Sequence, residues 1–297
     1  MANDLAAEVD ASSSGGRWAN VARRVAFFVA LLAAYIGAQF ARALAVRYVP
    51  PGGRDWASLA AALLLAAALL AIYVGLARAL EHRTPRELAP KPLQALAGIL
   101  LGLALFSSVF GVLHVMGVAR WQGISARFDV IPPLAAAILA AVGEELAFRG
   151  GLFRPLEESF GTGTALAISA AAFGLLHALN PGATVVSTVS IALEAGVLLG
   201  AAYALTRSLW LPIGLHLGWN FTEGGIFGVS VSGGAAAKGM FSVSLVGSTL
   251  LTGGKFGPEA SIIASIVSLT LAAVLLVLAV RGRRWLPLQR RAVRSMA

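Results

Sequence analysis

Apolar runs long enough to cross a bilayer recur along this chain, and they constrain its fold more than any single motif. The run from about Trp56 to Leu80 is mostly Ala and Leu, and comparable runs span about Val25 to Val46, Leu93 to Val118 and the stretch after Pro258 to Arg281. A segment of about twenty apolar residues crosses the hydrocarbon, and backbone polar groups there must be satisfied within the segment, which selects helices. Composition agrees: 58% of the 297 residues are hydrophobic, 12% are charged, and mean hydropathy is +0.81. A soluble domain carries about 25% charged residues. The fold class expected is therefore all-α, a polytopic membrane protein of about eight transmembrane helices.

The remaining spans follow from breaks in the pattern. Span 4 starts near Pro132-Pro133. Span 5 covers about Thr164 to Leu179 and ends at Asn180-Pro181-Gly182, by turn chemistry. Spans 6 and 7 cover about Val185 to Leu205 and Leu211 to Phe227, and span 8 opens at Pro258-Glu259. Residues 1–24 read as a disordered cytoplasmic tail, 25–282 as a single integral membrane domain and 283–297 as a basic tail. No cleavable leader is expected, because the first residues are polar and include Asp4, Glu8 and Asp10. Eight spans put both ends on one side. That side receives sixteen of the 23 Lys and Arg residues, and the other side six. The bias predicts cytoplasmic termini in a cell membrane, and it assigns the net charge of +9 to topology and headgroup contact, with no nucleic-acid partner. Trp18, Trp56, Trp121, Trp210 and Trp285 fall at span ends, as an aromatic belt requires. The absence of cysteine excludes disulfides, thiolate metal sites and a Cys nucleophile.

Against this background, Gly143-Glu144-Glu145-Leu146-Ala147-Phe148-Arg149 is expensive, since a carboxylate at mid-bilayer costs about 2.5–3.5 kcal/mol. Glu145 and Arg149 are four apart and share a helix face in the favourable order for an ion pair. Glu144, rotated about 100° from Glu145, is left without a cation on its own helix and is available for proton chemistry. Two further segments carry polar groups one helical turn apart: Phe173-x-x-x-His177 and His216-x-x-x-Asn220. If spans 4 and 5 form an antiparallel hairpin, Glu144 and His177 are centred on the Ser159 to Gly163 turn and lie level. His216 sits nearer the cytoplasmic face by the same count unless the Asn180-Pro181-Gly182 turn is sunk into the protein. Phe173 reads as packing, Glu223 as a helix-end acid, His114 as a hydrogen-bonded interior residue, and Gly253-Gly254-Lys255 as a tight turn capping span 8.

Such a trio suits hydrolysis. Glu144 would take a proton from water, His177 and His216 would orient that water or ligate a metal, and Asn220 would donate to an oxyanion. The three motifs, in this order on successive membrane helices, resemble the CPBP intramembrane proteases, which include the CAAX prenyl endopeptidases and bacterial Abi or bacteriocin-immunity proteins. The resemblance covers about Ala136 to Ser268, and the stretch Leu251 to Glu259 also resembles bacterial members. It implies a core from spans 4 to 7, Glu144 as the base, and His177, His216 and Asn220 completing the site, with Glu145, Arg149 and Phe173 in support. It also implies a glutamate mechanism that requires no cofactor; zinc, if bound, would be held by His177, His216 and Glu144. The partners expected are the lipid bilayer and a membrane-associated peptide or protein substrate, either a prenylated tail or an unprocessed leader peptide. The rival readings are a proton-coupled transporter and a catalytically inactive immunity or scaffold protein. Spans 1 to 3 offer nothing toward the assignment.

Overall fold

The computed structural model describes residues 2–288, with side chains from Ala19 onward. Much of the tail expected over 1–24, and the end of the one expected over 283–297, therefore lie outside the described side chains. Six helices are long and apolar enough to cross a membrane. One of these, Ile131–His177, is folded back on itself at Gly161, whose φ of 80° is open to glycine but strained for other residues. It has two arms that run back along each other, bringing Glu144 within 3.8 Å of His177. The unit that begins at Trp210 is shorter than these, so an all-α polytopic membrane protein fits while the count of apolar helices long enough to cross is six among the described residues, not the eight expected.

The helices are α1 (Ala2–Arg47), α2 (Arg54–Leu80), α3 (Pro92–Val115), α4 (Ile131–Glu145), α5 (Arg154–His177), α6 (Val185–Ile191), α7 (Val197–Thr206), α8 (Trp210–Phe221), α9 (Thr249–Thr252) and α10 (Ile262–Arg281). Three π-helical stretches interrupt this series: Leu146–Phe153 joins α4 to α5, Ala192–Gly196 joins α6 to α7, and Thr222–Ile226 extends α8. A small antiparallel pair, β1 (Ala119–Ile124) with β2 (Phe241–Leu245), lies at one end of the bundle, with Ala119 opposite Leu245 and a bulge after Trp121. No strand was read from the sequence there. Both segments are short and flank glycine-rich turns, so the pairing becomes visible only once the loops meet.

Charged contacts tie the other end together. Arg24 donates to Glu158 and to the Pro155 carbonyl, Arg154 pairs with Glu81, Arg83 pairs with Glu87, and Arg207 pairs with Glu157. The Leu286 amide donates to Thr162 at 2.9 Å, bringing the segment after α10 to the same end.

Between the ends, α3 and α8 pack backbone to backbone. Gly98 and Gly102 on α3 face the backbone from Leu211 to Trp219, while Gly214 and Gly218 on α8 face Ala95 and Ile99. A methyl group at any of the four would overlap the opposing chain. Two glycine pairs at spacing four, set against each other, let helices approach closely where lipid supplies no hydrophobic drive for association.

Candidate active site

The α4 segment begins with Pro132-Pro133, and Asp129 accepts its Ile131 amide at 3.1 Å. Prolines are tolerated in a first turn, where amides have no intrahelical partner. About three turns deeper the helix reaches Gly143, against which the Tyr35 ring lies so closely that a methyl there would overlap it. Glu144 and Glu145 follow, on different faces.

Glu145 and Arg149 are fully buried and pair at 3.0 Å, as their spacing predicts. The pair does more than neutralise itself. Glu145 Oε1 also accepts from His216 Nδ1 at 3.0 Å, and Arg149 donates to the carbonyls of Ala195 and Gly196 at 2.9 and 3.2 Å. Those carbonyls lie at the π-helical stretch between α6 and α7, where the regular ladder is broken and acceptors become available. The guanidinium also sits 4.7 Å from the centre of the Phe173 ring. Phe173 packs edge-on to Phe148 and tilted against His177, so it supports both the cation and the imidazole.

Glu144 has a different environment. Its Oε1 accepts from the Tyr35 hydroxyl at 2.7 Å, and Tyr35 in turn accepts from Gln39 at 3.0 Å. Its Oε2 has no hydrogen-bond partner among the described residues and stands 3.8 Å from His177 Nε2 and 4.0 Å from His216 Nε2. His177 Nδ1 lies 2.8 Å from the Phe173 carbonyl, which can only accept, so this nitrogen donates, and Nε2 faces Glu144. The 3.8 Å between these atoms is wide enough for one water to bond both.

The depth conflict at His216 is resolved by the loop between α2 and α3. It tucks under α8: the Leu209 amide donates to the Glu87 carbonyl at 3.0 Å, and Trp210 Nε1 donates to the Ala89 carbonyl at 3.0 Å. Tyr73 bonds Glu87 at 2.6 Å and packs against Gly150. Helix α8 thus starts near the level of Gly150, and six residues further on His216 is level with Glu144. The turn after α5 also folds inward, Asn180 donating to the Ser232 carbonyl at 3.0 Å.

Asn220 lies one turn beyond His216, and both line a cavity of about 760 Å³ together with Glu144 and His177. A second, smaller cavity of about 20 Å³ is lined by both rings together with Glu194 and Glu259. Glu223, expected as a helix-end acid, is instead fully buried and accepts from the Glu259 amide at 3.2 Å. His114 bonds the Ala119 carbonyl at 2.9 Å but is exposed, so it holds the approach to β1 and is not an interior residue. Tyr35 and Gln39 were missed in the sequence. Their spacing of four, with Arg42 three residues further on, is the one polar stripe in span 1 and the signal that could have found them.

Zinc asks for donors about 2.0–2.2 Å from the ion. Among the described residues no group of three or more His, Asp or Glu side chains is arranged to hold one. The donors around Glu144 therefore do not fit a metal as they stand.

A comparison with curated proteins finds no match to the chain, and neither does one with solved structures. A family model described as type II CAAX prenyl endopeptidase Rce1-like matches residues 126–222. The match runs from just before α4 to the end of α8 and contains Glu144, His177, His216 and Asn220; α1 to α3 and α10 lie outside it. Over residues 126–222, about a third of its length, this multi-pass membrane protein is thus similar to the type II CAAX prenyl endopeptidases of the CAAX protease (CPBP) family.

Proposed function

We propose that the chain hydrolyses a peptide bond of a membrane-associated substrate, with Glu144 as the base. The observation that carries this reading is the partnerless Glu144 Oε2, set 3.8 and 4.0 Å from two imidazole nitrogens in the wall of a cavity large enough for a peptide. One water between them donates one proton toward Glu144 Oε2 and the other toward His177 Nε2. Glu144 takes its proton as the water oxygen bonds to the scissile carbonyl carbon. The carbonyl oxygen gains negative charge and is met by the Asn220 carboxamide and by His216, protonated on both nitrogens and held by Glu145. When the tetrahedral centre collapses, the carbon–nitrogen bond breaks and Glu144 returns the proton to the leaving amine.

This scheme uses only side chains of the protein. Glu144→Gln removes the proton acceptor and keeps the shape, so cleavage is expected to be lost while the protein still inserts and extracts as a folded species. Unchanged turnover would remove the assignment. The metal-free form has its own test: activity that survives strong chelation, in protein purified without stoichiometric metal, supports it, and loss restored by zinc overturns it.

A further inference from the structure

The side from which the site is reached can be read from two independent features. The first is the placement of the cavity mouth. Its wall includes Arg42 near the end of α1, Pro133 at the start of α4, Pro181 after α5, and Ala235 and Ala237 in the loop before β2. All belong to the end of the bundle that carries β1 and β2. None of the lining residues comes from 78–92, 154–162 or 281–288, which form the opposite end. Below Glu144 the path is closed by the buried Glu145–Arg149 pair and, further down, by Arg154 with Glu81.

The second feature is the distribution of cations. Among the residues with described side chains, eleven Lys and Arg lie at the closed end, in 23–24, 78–91, 154, 207 and 281–284, and seven lie at the open end, in 42–54, 120–127 and 238–255. The connections are short, the regime in which a Lys and Arg excess marks the cytoplasmic side.

We infer that the cavity opens on the extracytoplasmic face, so that the peptide it takes belongs to a membrane-attached protein already carried across, not to a lipid-modified cytoplasmic tail. The identity of the substrate as a peptide rests on the endopeptidase reading above; the sidedness does not. The lining fits such a segment. Ile36 and Leu179 at the rim are 54% and 84% exposed, which leaves a lipid-facing approach for a segment tethered in the bilayer. Arg42 is the one cation of the lining, and its Nε has no hydrogen-bond partner among the described residues, so apolar or acidic residues beside the cut are favoured.

The chain contains no cysteine, which allows a direct test. Ala235→Cys places a thiol at the mouth and Thr84→Cys places one at the closed end, both at exposed positions. Each is made in the full chain with and without Glu144→Gln, and labelled with a bulky membrane-impermeant maleimide. Labelling of Ala235→Cys in intact cells, with Thr84→Cys reacting only after permeabilisation, is the expected result. The reverse pattern, or equal labelling of both, overturns the inference. In a second arm, single-span reporters present the same cleavable segment on either side of the membrane, and only the extracytoplasmic one is expected to be cut. Expected labelling with neither reporter cut removes the endopeptidase reading and leaves the sidedness standing; cutting of the cytoplasmic reporter alone overturns the substrate assignment.

Discussion

Helices α4 to α8 contribute to the site the side chains to which we assign the chemistry, whereas α1 to α3 contribute through position. The first group carries Glu144, His177, His216 and Asn220, whose spacing stands out against apolar surroundings. The second group looks like filler in the sequence, yet Tyr35 on α1 bonds Glu144, Tyr73 on α2 fixes Glu87 beneath α8, and the glycines of α3 hold α8 at its height. A motif names the reacting groups. Where they stand is decided by helices that carry no motif.

That contrast can be broken from either side. The largest effect is expected in the motif-bearing group at Arg149→Met, which takes from the buried Glu145 its guanidinium partner, leaving only His216, and should cost about 3–5 kcal/mol. Thermal unfolding in detergent measures it, and an unchanged midpoint would show that the pair is dispensable. Next comes α3: Gly102→Leu drives a side chain into the α8 backbone and should cost about 1–3 kcal/mol or more. Gly111→Leu, on the same helix but facing open space, should cost far less. Equal losses at the two positions would mean that helix–helix approach is not what Gly102 serves.

A subtler effect is expected at Tyr35→Phe. The ring and its packing remain, and one hydrogen bond to a charged group is lost, worth about 1.5–3 kcal/mol, so kcat should fall about tenfold to a hundredfold with KM little changed. A fall in KM-dependent binding with kcat intact would make Tyr35 a wall of the cavity and not a support of Glu144. The smallest effect is in the polar end. Burial alone would raise the Glu81 carboxyl, but hydrogen bonds and charge from Arg154 and then Arg83 outweigh it and hold it below the usual carboxylate range. Its folded-state affinity for protons is therefore lower than in the unfolded chain, so its contribution is present above the unfolded value of about 4.3 and is lost as pH falls through the folded one. The melting temperature should hold level from neutral pH to about 5 and decline below about 4. Arg154→Gln should flatten that decline.

How much of this was legible follows from the range over which each signal acts. The level pairing of Glu144 with His177 needed only a hairpin and a count of residues, and the chain does fold back at Gly161. The Glu145–Arg149 pair needed only helical spacing. The bond from Glu145 to His216 joins residues 71 apart and depends on the height of α8, which is set by a loop from another part of the chain. Tyr35 is 109 residues from Glu144, and its stripe with Gln39 and Arg42 is too short to distinguish from an ordinary polar patch until its partner is known. The buried acids Glu194, Glu223 and Glu259 come from three separate helices or turns, so no local pattern could gather them.

The fold-back at Gly161 has one more consequence. Glu144 and His177 stand nearly equal numbers of residues from it, so the two arms measure out their own register like a folded rule. One residue added to either arm would rotate its far end by about 100° and swing one of the two groups out of reach. Lipid-facing side chains of this hairpin are free to change, but its length is held fixed by arithmetic.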